Sequence, residues 1–477
     1  MNIKRVLLSF ILAITLMVQP FTVSAEENEA MKAPDPAEEH VTEEESYALV
    51  PDTNKVEGWP EGPSVYAESA ILMDMDTGAV LYAKQADKPQ YPASITKFMT
   101  ALVAMENASM DDKVTFTESS VDFLEEGDAY IGMRPGEVIS MDDALHAVLL
   151  ASANEVSHAV AESVGALLGG DYNTFIEKMN TRAKEIGCTN SHWVNANGLH
   201  DDQHFTTAHD MAVIAAALYR QEEFHKIMSR LDYTIPPTNL ESESRTFQQN
   251  HKMLWKDAQY SYEYCTGGKT GYTDQAMTTL VTVAEKDGRR LAAVVLYDHG
   301  PKAYTDTRAM FDYGFDQFRQ LSAAKSDTCP EIQSFDDENA YVTVPEGVKF
   351  ENLKKKIKST DTGVFGGKVY YTYKGQTVGI FDVTLTEKGQ KEIIKLDKCG
   401  NTEGVTKEKS SHAGLLLKIL LVLLILILVI GLTLLGTAVY RVRKIRKEKA
   451  LKAEKARKHR REKEFEFDDD HQDDDFE

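Results

Sequence analysis

Two β-rich segments, far apart in the chain, enclose a long helical stretch, and this arrangement limits the fold more than any other feature. Residues 70–82 read as two short strands joined by an Asp76-Thr77-Gly78 turn. Strand patterns return at 267–272, 278–285 and 290–297, with Asp287-Gly288 as a hairpin turn between the last two. Between these segments, apolar residues recur at helical spacing over 94–106, 141–151, 154–167, 172–186 and 207–219. One antiparallel sheet drawing strands from both ends of a domain, with helices packed on it, accommodates that order as an α+β fold. A final amphipathic helix is expected over 305–321.

At 477 residues the chain exceeds one ordinary domain, so two folded units plus tails are expected. The first domain is assigned to 64–324. Short β runs at 340–344, 368–373 and 376–385, separated by Gly and Asp turns, suggest a small all-β domain over 325–399, followed by a linker at 400–414. The beginning has the layout of a secretory signal peptide over 1–25: Lys4 and Arg5, an apolar run over 6–18, then Val23-Ser24-Ala25. An uncleaved anchor is the alternative, and either one implies export. Residues 26–63, rich in Glu and Pro, read as a flexible acidic linker.

Residues 415–440 are apolar apart from Lys418 near one edge and are long enough to span a bilayer as a helix. Arg441, Arg443, Lys444, Arg446 and Lys447 follow and keep the 441–477 tail in the cytoplasm. The expected location is therefore the cell membrane, single-pass, with the body extracellular. A net charge of −22 argues against a nucleic-acid partner, because phosphate binding needs a basic face. Cys188, Cys265, Cys329 and Cys399 form no Cys-x-x-Cys; a Cys329–Cys399 disulfide and free thiols are both compatible with the sequence.

The chemistry concentrates in three short motifs. Ser94-Ile95-Thr96-Lys97 stands at the start of a helix, where residues three apart share a face. A serine hydroxyl needs a neighbouring base, and a lysine can be that base when burial or nearby positive charge lowers its pKa. The helix start adds N–H groups that favour a developing oxyanion. By itself the motif is weak, since Ser322-Ala-Ala-Lys325 fits it equally well. Ser152-Ala153-Asn154 interrupts a helical run and offers a hydroxyl and an amide to a cleft; read alone, it is an N-cap. Lys269-Thr270-Gly271 lies on a strand after Gly267-Gly268, whose small residues would let a substrate backbone approach. Read alone, it is an edge strand with a lysine.

Together, in this order, the motifs match the Ser-x-x-Lys, Ser-x-Asn and Lys-Thr-Gly set of penicillin-binding proteins and β-lactamases. Residues 64–321 resemble the low-molecular-weight penicillin-binding D-Ala-D-Ala carboxypeptidases, also through Tyr91-Pro92-Ala93, Thr273, Asn195-Ala196-Asn197-Gly198-Leu199 and Thr207-Ala208-His209-Asp210. The resemblance implies a β-lactamase/transpeptidase-like domain and an acyl-enzyme on Ser94. It implies peptidoglycan stem peptides ending in D-Ala-D-Ala as substrates and β-lactams as covalent inhibitors. Lys97 would then be the base and Ser152 a proton relay to the leaving amine. Asn154 would hold Lys97 and the substrate amide, Lys269 and Thr270 the terminal carboxylate. The backbone N–H groups of Ser94 and Tyr272 would form the oxyanion hole beside Gly271. Arg308 would assist with the carboxylate.

Met277 departs from the family pattern, in which glycine commonly stands at that place, and is expected to alter packing behind the strand. A secreted serine β-lactamase and a penicillin-sensing or wall-binding receptor are the rival readings. Against the first, no Glu-x-x-Leu-Asn segment lies between the second and third motifs; against the second, the motif set is intact. His200, His204 and His209 lack a His-Glu-x-x-His core and are assigned polar or capping roles, so neither metal nor cofactor is expected.

Overall fold

The structure, a computed structural model, describes residues 33–34, 40–360 and 365–391. The expected signal peptide, the 400–414 linker, the membrane helix at 415–440, the 441–477 tail and Cys399 lie outside the described residues. Among the described residues, no helix is long and apolar enough to cross a membrane.

An antiparallel sheet of five strands is the centre of the fold. Its order is Val80–Lys84, Ser69–Asp74, Arg289–Asp298, Met277–Lys286, Cys265–Thr273, so the chain's early hairpin joins its late strands. Asp287 and Gly288 both have positive φ (53° and 74°), as the tight hairpin turn between the last two strands in sequence requires. Alternate residues divide between two apolar layers. Ile71, Met73, Val281, Val283 and Val294 face one, and Ala70, Leu72, Leu280, Leu291 and Val295 face the other. With both faces covered, the strands read as nearly continuous apolar runs.

The first layer is made by helices Lys97–Asn107, Met141–His146, Asn154–Leu167, Tyr172–Glu185 and Ala208–Tyr219. Lys97–Asn107 is buried at every residue from Lys97 to Ala104, which fits its small and apolar side chains and makes it the central helix of that layer. The second layer is led by helix Lys302–Gln317, with Ala303, Met310, Phe311 and Phe315 turned inward. That helix starts and ends earlier than its periodicity predicts, because Phe318–Ser322 leaves it as a strand paired with Tyr341–Pro345.

Lys113–Thr115 pairs with Val138–Ser140 and Asp232–Ile235 with Arg245–Gln248, and the carboxy-terminal strands form a four-stranded sheet in the order Ile332–Phe335, Gln376–Leu385, Gly366–Tyr373, Lys354–Ser359. Val342, Val369, Tyr371, Val383 and Leu385 belong to the same apolar cluster as Trp59, Phe311 and Phe318. Polar contacts add to this. Thr343 Oγ1 donates to Asp74 Oδ2 (2.6 Å), Tyr341 OH to Asp76 Oδ2 (2.9 Å), and Ile380 N–H to the Thr77 carbonyl (2.9 Å). The early hairpin turn is thus a docking point for the carboxy-terminal strands.

The stretch read as a flexible linker is, from residue 40 onward, part of the packed structure. Helix Glu43–Ala48 carries a Thr42/Glu45 capping box and three glutamates in its first turn, where the helix dipole favours them. Lys84, 1% exposed, donates to the carbonyls of Ser46 (2.6 Å), Val65 (2.9 Å) and Ala67 (2.8 Å). Trp59 is buried and donates to the Leu81 carbonyl (2.9 Å). Three of the acidic residues that suggest a solvated spacer, Glu43, Glu44 and Glu45, form the first turn of that helix, and the apolar anchors are too widely spaced to show a period.

Candidate active site

Ser94 lies in the 3-10 turn Ala93–Thr96, which runs directly into helix Lys97–Asn107. This turn puts the Lys97 amine below the serine, fully buried and 2.9 Å from Ser94 Oγ. The amine also donates to Asn154 Oδ1 (2.7 Å) and to the Asn197 carbonyl (2.6 Å). Burial first, then the nearby Lys269 charge, holds the Lys97 pKa well below its ordinary value. A neutral amine has two N–H donors and one lone pair. Since Asn154 Oδ1 and Asn197 O can only accept, they take the two donors and leave the lone pair directed at Ser94 Oγ. The decoy behaves differently: Ser322 Oγ accepts the Lys325 N–H (3.3 Å) as an ordinary helix cap.

The second motif is placed by a break in regular structure. Helix Met141–His146 widens into the π turn Ala147–Ala151, and Ser152 follows in the left-handed conformation (φ 64°). That conformation ends the helical run and turns Ser152 into the cleft. Asn154 opens helix Asn154–Leu167, with its N–H on the Ala129 carbonyl (2.8 Å). Beside it, the buried Glu155 accepts the Ile131 N–H (2.7 Å), which holds the 126–129 wall of the cleft in place.

The third motif is on strand Cys265–Thr273, at the sheet edge. Lys269, 1% exposed, donates to the Thr270 carbonyl (2.7 Å), and burial pulls its pKa down to about 7. A Cβ on Gly271 would lie 2.8 Å from Ser94 N, so a side chain there would push the strand off the nucleophile. Gly267 and Gly268 have another purpose than the one expected. A Cβ on Gly267 would meet Phe224 (2.9 Å) and one on Gly268 His251 Nε2 (2.3 Å), so their small size serves internal packing.

These elements enclose a cleft of about 780 Å³ that brings together Ser94, Ser152, Asn154, Thr270, Gly271 and Tyr272. Tyr272 is exposed, and its hydroxyl donates to Asp274 Oδ1 (3.2 Å). Arg308 is not brought to the cleft: its guanidinium donates to the Ser261 carbonyl and lies over the Tyr262 ring (5.5 Å). Helix Lys302–Gln317 presents Ala303 and Tyr304 to the cleft instead. Met277 is not a packing residue behind the strand. It sits at the turn opposite Thr273 with φ 52°, a left-handed conformation that favours glycine.

Asn197 was named from sequence only within the Asn195–Leu199 segment and given no role, because its contribution is a backbone carbonyl. The usable signal was Gly198 next to it, whose φ is 89° and whose Cβ would lie 2.0 Å from the Ala93 carbonyl. Among the histidines, His204 is buried. Its Nδ1 accepts the Val194 N–H (3.1 Å), so Nε2 donates to Thr96 Oγ1 (2.8 Å), which donates to the Ala93 carbonyl (2.8 Å). Burial lowers its pKa to about 3, so it braces the nucleophile turn as a neutral ring. His209 pairs with Asp87 (2.9 Å), and His200 lies edge-on to Tyr91. Among the described residues, no group of His, Cys, Asp and Glu is arranged to hold a metal ion. Cys188, Cys265 and Cys329 are free thiols.

Residues 57–300 match a family model described as D-alanyl-D-alanine carboxypeptidase. A D-alanyl-D-alanine carboxypeptidase of Bacillus subtilis, DacF, is 32% identical over 313 residues, covering 62% of this chain and 77% of its own length. One from Haemophilus influenzae, DacA, is 28% identical over 342 residues, or 66% of this chain and 80% of that protein. Among solved structures, penicillin binding protein 5 from Haemophilus influenzae has a TM-score of 0.53 at 26% identity, covering 68% of this chain and 97% of that one.

Proposed function

Because the chain belongs to the D-alanyl-D-alanine carboxypeptidase family, we propose that its cleft removes the terminal D-alanine from peptidoglycan stem peptides ending in D-Ala-D-Ala, and that β-lactams acylate the same serine. It is a serine peptidase of the α+β, transpeptidase-like fold. The observation that carries the reading is the buried Lys97 amine, held by two acceptors with its free position on Ser94 Oγ. Neutral Lys97 takes the Ser94 proton as Oγ attacks the carbonyl carbon between the two D-alanines. The Ser94 and Tyr272 N–H groups stabilise the oxyanion. The C–N bond then breaks as the proton held by Lys97 is relayed through Ser152 to the leaving D-alanine amine, which leaves Lys97 neutral and an ester on Ser94. Water then attacks that ester, with Lys97, neutral again, accepting its proton and returning it to Ser94 Oγ as the acyl–oxygen bond breaks.

Asn154 orients both Lys97 and the substrate amide, and Lys269 with Thr270 binds carboxylate. The cellular setting follows from the sequence: export by residues 1–25, a single membrane helix at 415–440, and a catalytic body outside the cell. The strands after 325 are read as a β module that follows the peptidase domain in the chain and packs on it, a reading supported by the shared apolar cluster.

Mass spectrometry of the protein with benzylpenicillin and with a D-Ala-D-Ala peptide tests the proposal. The expected result is a stable penicilloyl adduct on Ser94, D-alanine release from the peptide, and loss of both in Ser94→Ala. Rapid turnover of benzylpenicillin would indicate a β-lactamase instead. D-alanine release that survives in Ser94→Ala would remove Ser94 as nucleophile.

A further inference from the structure

The charged residues lining the cleft are Glu126, Asp128, Asp274 and Lys252, so an anionic substrate group meets three carboxylates and one ammonium there. Lys252 is exposed, and no hydrogen bond or ion pair engages its amine among the described residues. The other cations near the chemistry already hold protein partners, and none of them is among the residues that line the cleft. Lys97 is bound to Ser94, Asn154 and Asn197, Lys269 is buried on the Thr270 carbonyl, and Arg308 is turned to Ser261 and Tyr262.

The backbone that carries Lys252 is fixed on several sides. Asn250 donates its N–H to the Leu150 carbonyl (3.1 Å) and its side-chain amide to the Ala151 carbonyl (3.2 Å), in the turn that ends at Ser152. His251 is buried under the Lys-Thr-Gly strand at Gly268, with Nε2 2.9 Å from Thr282 Oγ1. The Tyr304 ring, which also lines the cleft, packs edge-on against His251 (ring centroids 6.0 Å apart). Lys252 therefore projects from a rigid segment wedged between the second and third motifs.

We infer that Lys252 is the specificity-determining cation that draws the substrate's terminal carboxylate to the Thr270 side of the cleft, in the place the sequence assigned to Arg308. This rests on the carboxypeptidase reading above. Removing a charge-assisted contact of this kind should cost about 10- to 100-fold.

The test compares D-alanine release by the full-length protein from a D-Ala-D-Ala peptide with release of D-alaninamide from the same peptide amidated at its C-terminus. In Lys252→Ala, KM for the free acid should rise about 10- to 100-fold with a smaller change in kcat, while kinetics on the amide stay within about threefold of wild type. Lys252→Arg should recover most of the loss on the acid. The amide arm also reports that the variant is folded. Equal effects on acid and amide, or no effect on either, would overturn the assignment. A wild type that releases D-alanine from neither peptide would overturn the carboxypeptidase reading and this inference with it.

Discussion

At Lys97 burial weakens the hold on a proton, while two fixed acceptors decide where the lone pair points. The two effects make different demands on a mutant. Asn154→Ala removes one acceptor and frees the amine to rotate without changing its burial. Acylation of Ser94 by benzylpenicillin should then slow by on the order of 10²-fold, as followed by rapid-quench mass spectrometry. A change of less than about threefold would mean that Asn154 does not orient the base. Lys269 gives a pH signature. Its pKa is lowered to about 7, so it is charged below that value and loses charge as pH rises through it. In Lys252→Ala, where Lys269 is the cation left at that end of the cleft, kcat/KM on the free acid should fall as pH rises through about 7, and kcat/KM on the amide should not. A flat profile on the acid would remove Lys269 from carboxylate binding. The nearness of Ser94 and Lys97 was legible because residues three apart on a helix start share a face. The place of Arg308 was not, because a guanidinium several ångströms long can turn to either side of its helix.

Strand Cys265–Thr273 carries glycines with separate structural causes, and they should respond differently to the same change. Gly271→Ala places a methyl 2.8 Å from Ser94 N and 2.4 Å from Thr279 Oγ1. The expected result is a fall in kcat/KM on the order of 10²-fold with a modest loss of stability. Gly268→Ala drives a methyl into the buried His251 ring, 2.3 Å from Nε2. Its main effect should be on stability, about 1–3 kcal/mol by denaturant titration. If the two variants show the same ratio of lost activity to lost stability, the glycines do not have these separate roles. At the end of the same hairpin, Met277 holds a left-handed conformation (φ 52°). Met277→Gly should raise stability by about 0.5–1 kcal/mol, read as a higher denaturant midpoint at constant slope. Element types and most boundaries followed from periodicity, and the Asp287-Gly288 turn from its residues. Whether a glycine faces substrate or the protein interior did not, because strand alternation gives the side of the sheet but not what lies on it.

One of the two apolar layers on the central sheet is a cluster that includes Trp59, Phe311, Phe318, Val342, Tyr371 and Leu385, and so joins the second face of that sheet to the carboxy-terminal strands. The amino-terminal helix is tied to the same body through Lys84 and Ser46. Calorimetry of a 40–391 fragment should therefore show a single unfolding transition, and separate transitions for the peptidase fold and the carboxy-terminal strands would contradict that coupling. Deleting residues 40–50 should lower its stability by about 1–3 kcal/mol, because the buried Lys84 ammonium would lose the Ser46 oxygens. By itself the sequence determined the antiparallel sheet built from both chain halves, the helices between, and the nearness of Ser94 and Lys97, since these rest on local periodicity and i, i+3 spacing. Tertiary structure alone decided that the acidic stretch after residue 40 is packed, that the Asn197 carbonyl completes the lysine's shell, and that Lys252 rather than Arg308 faces the cleft. Each of those depends on which distant segments meet, and side-chain direction and backbone carbonyls leave no periodic trace in the order of residues.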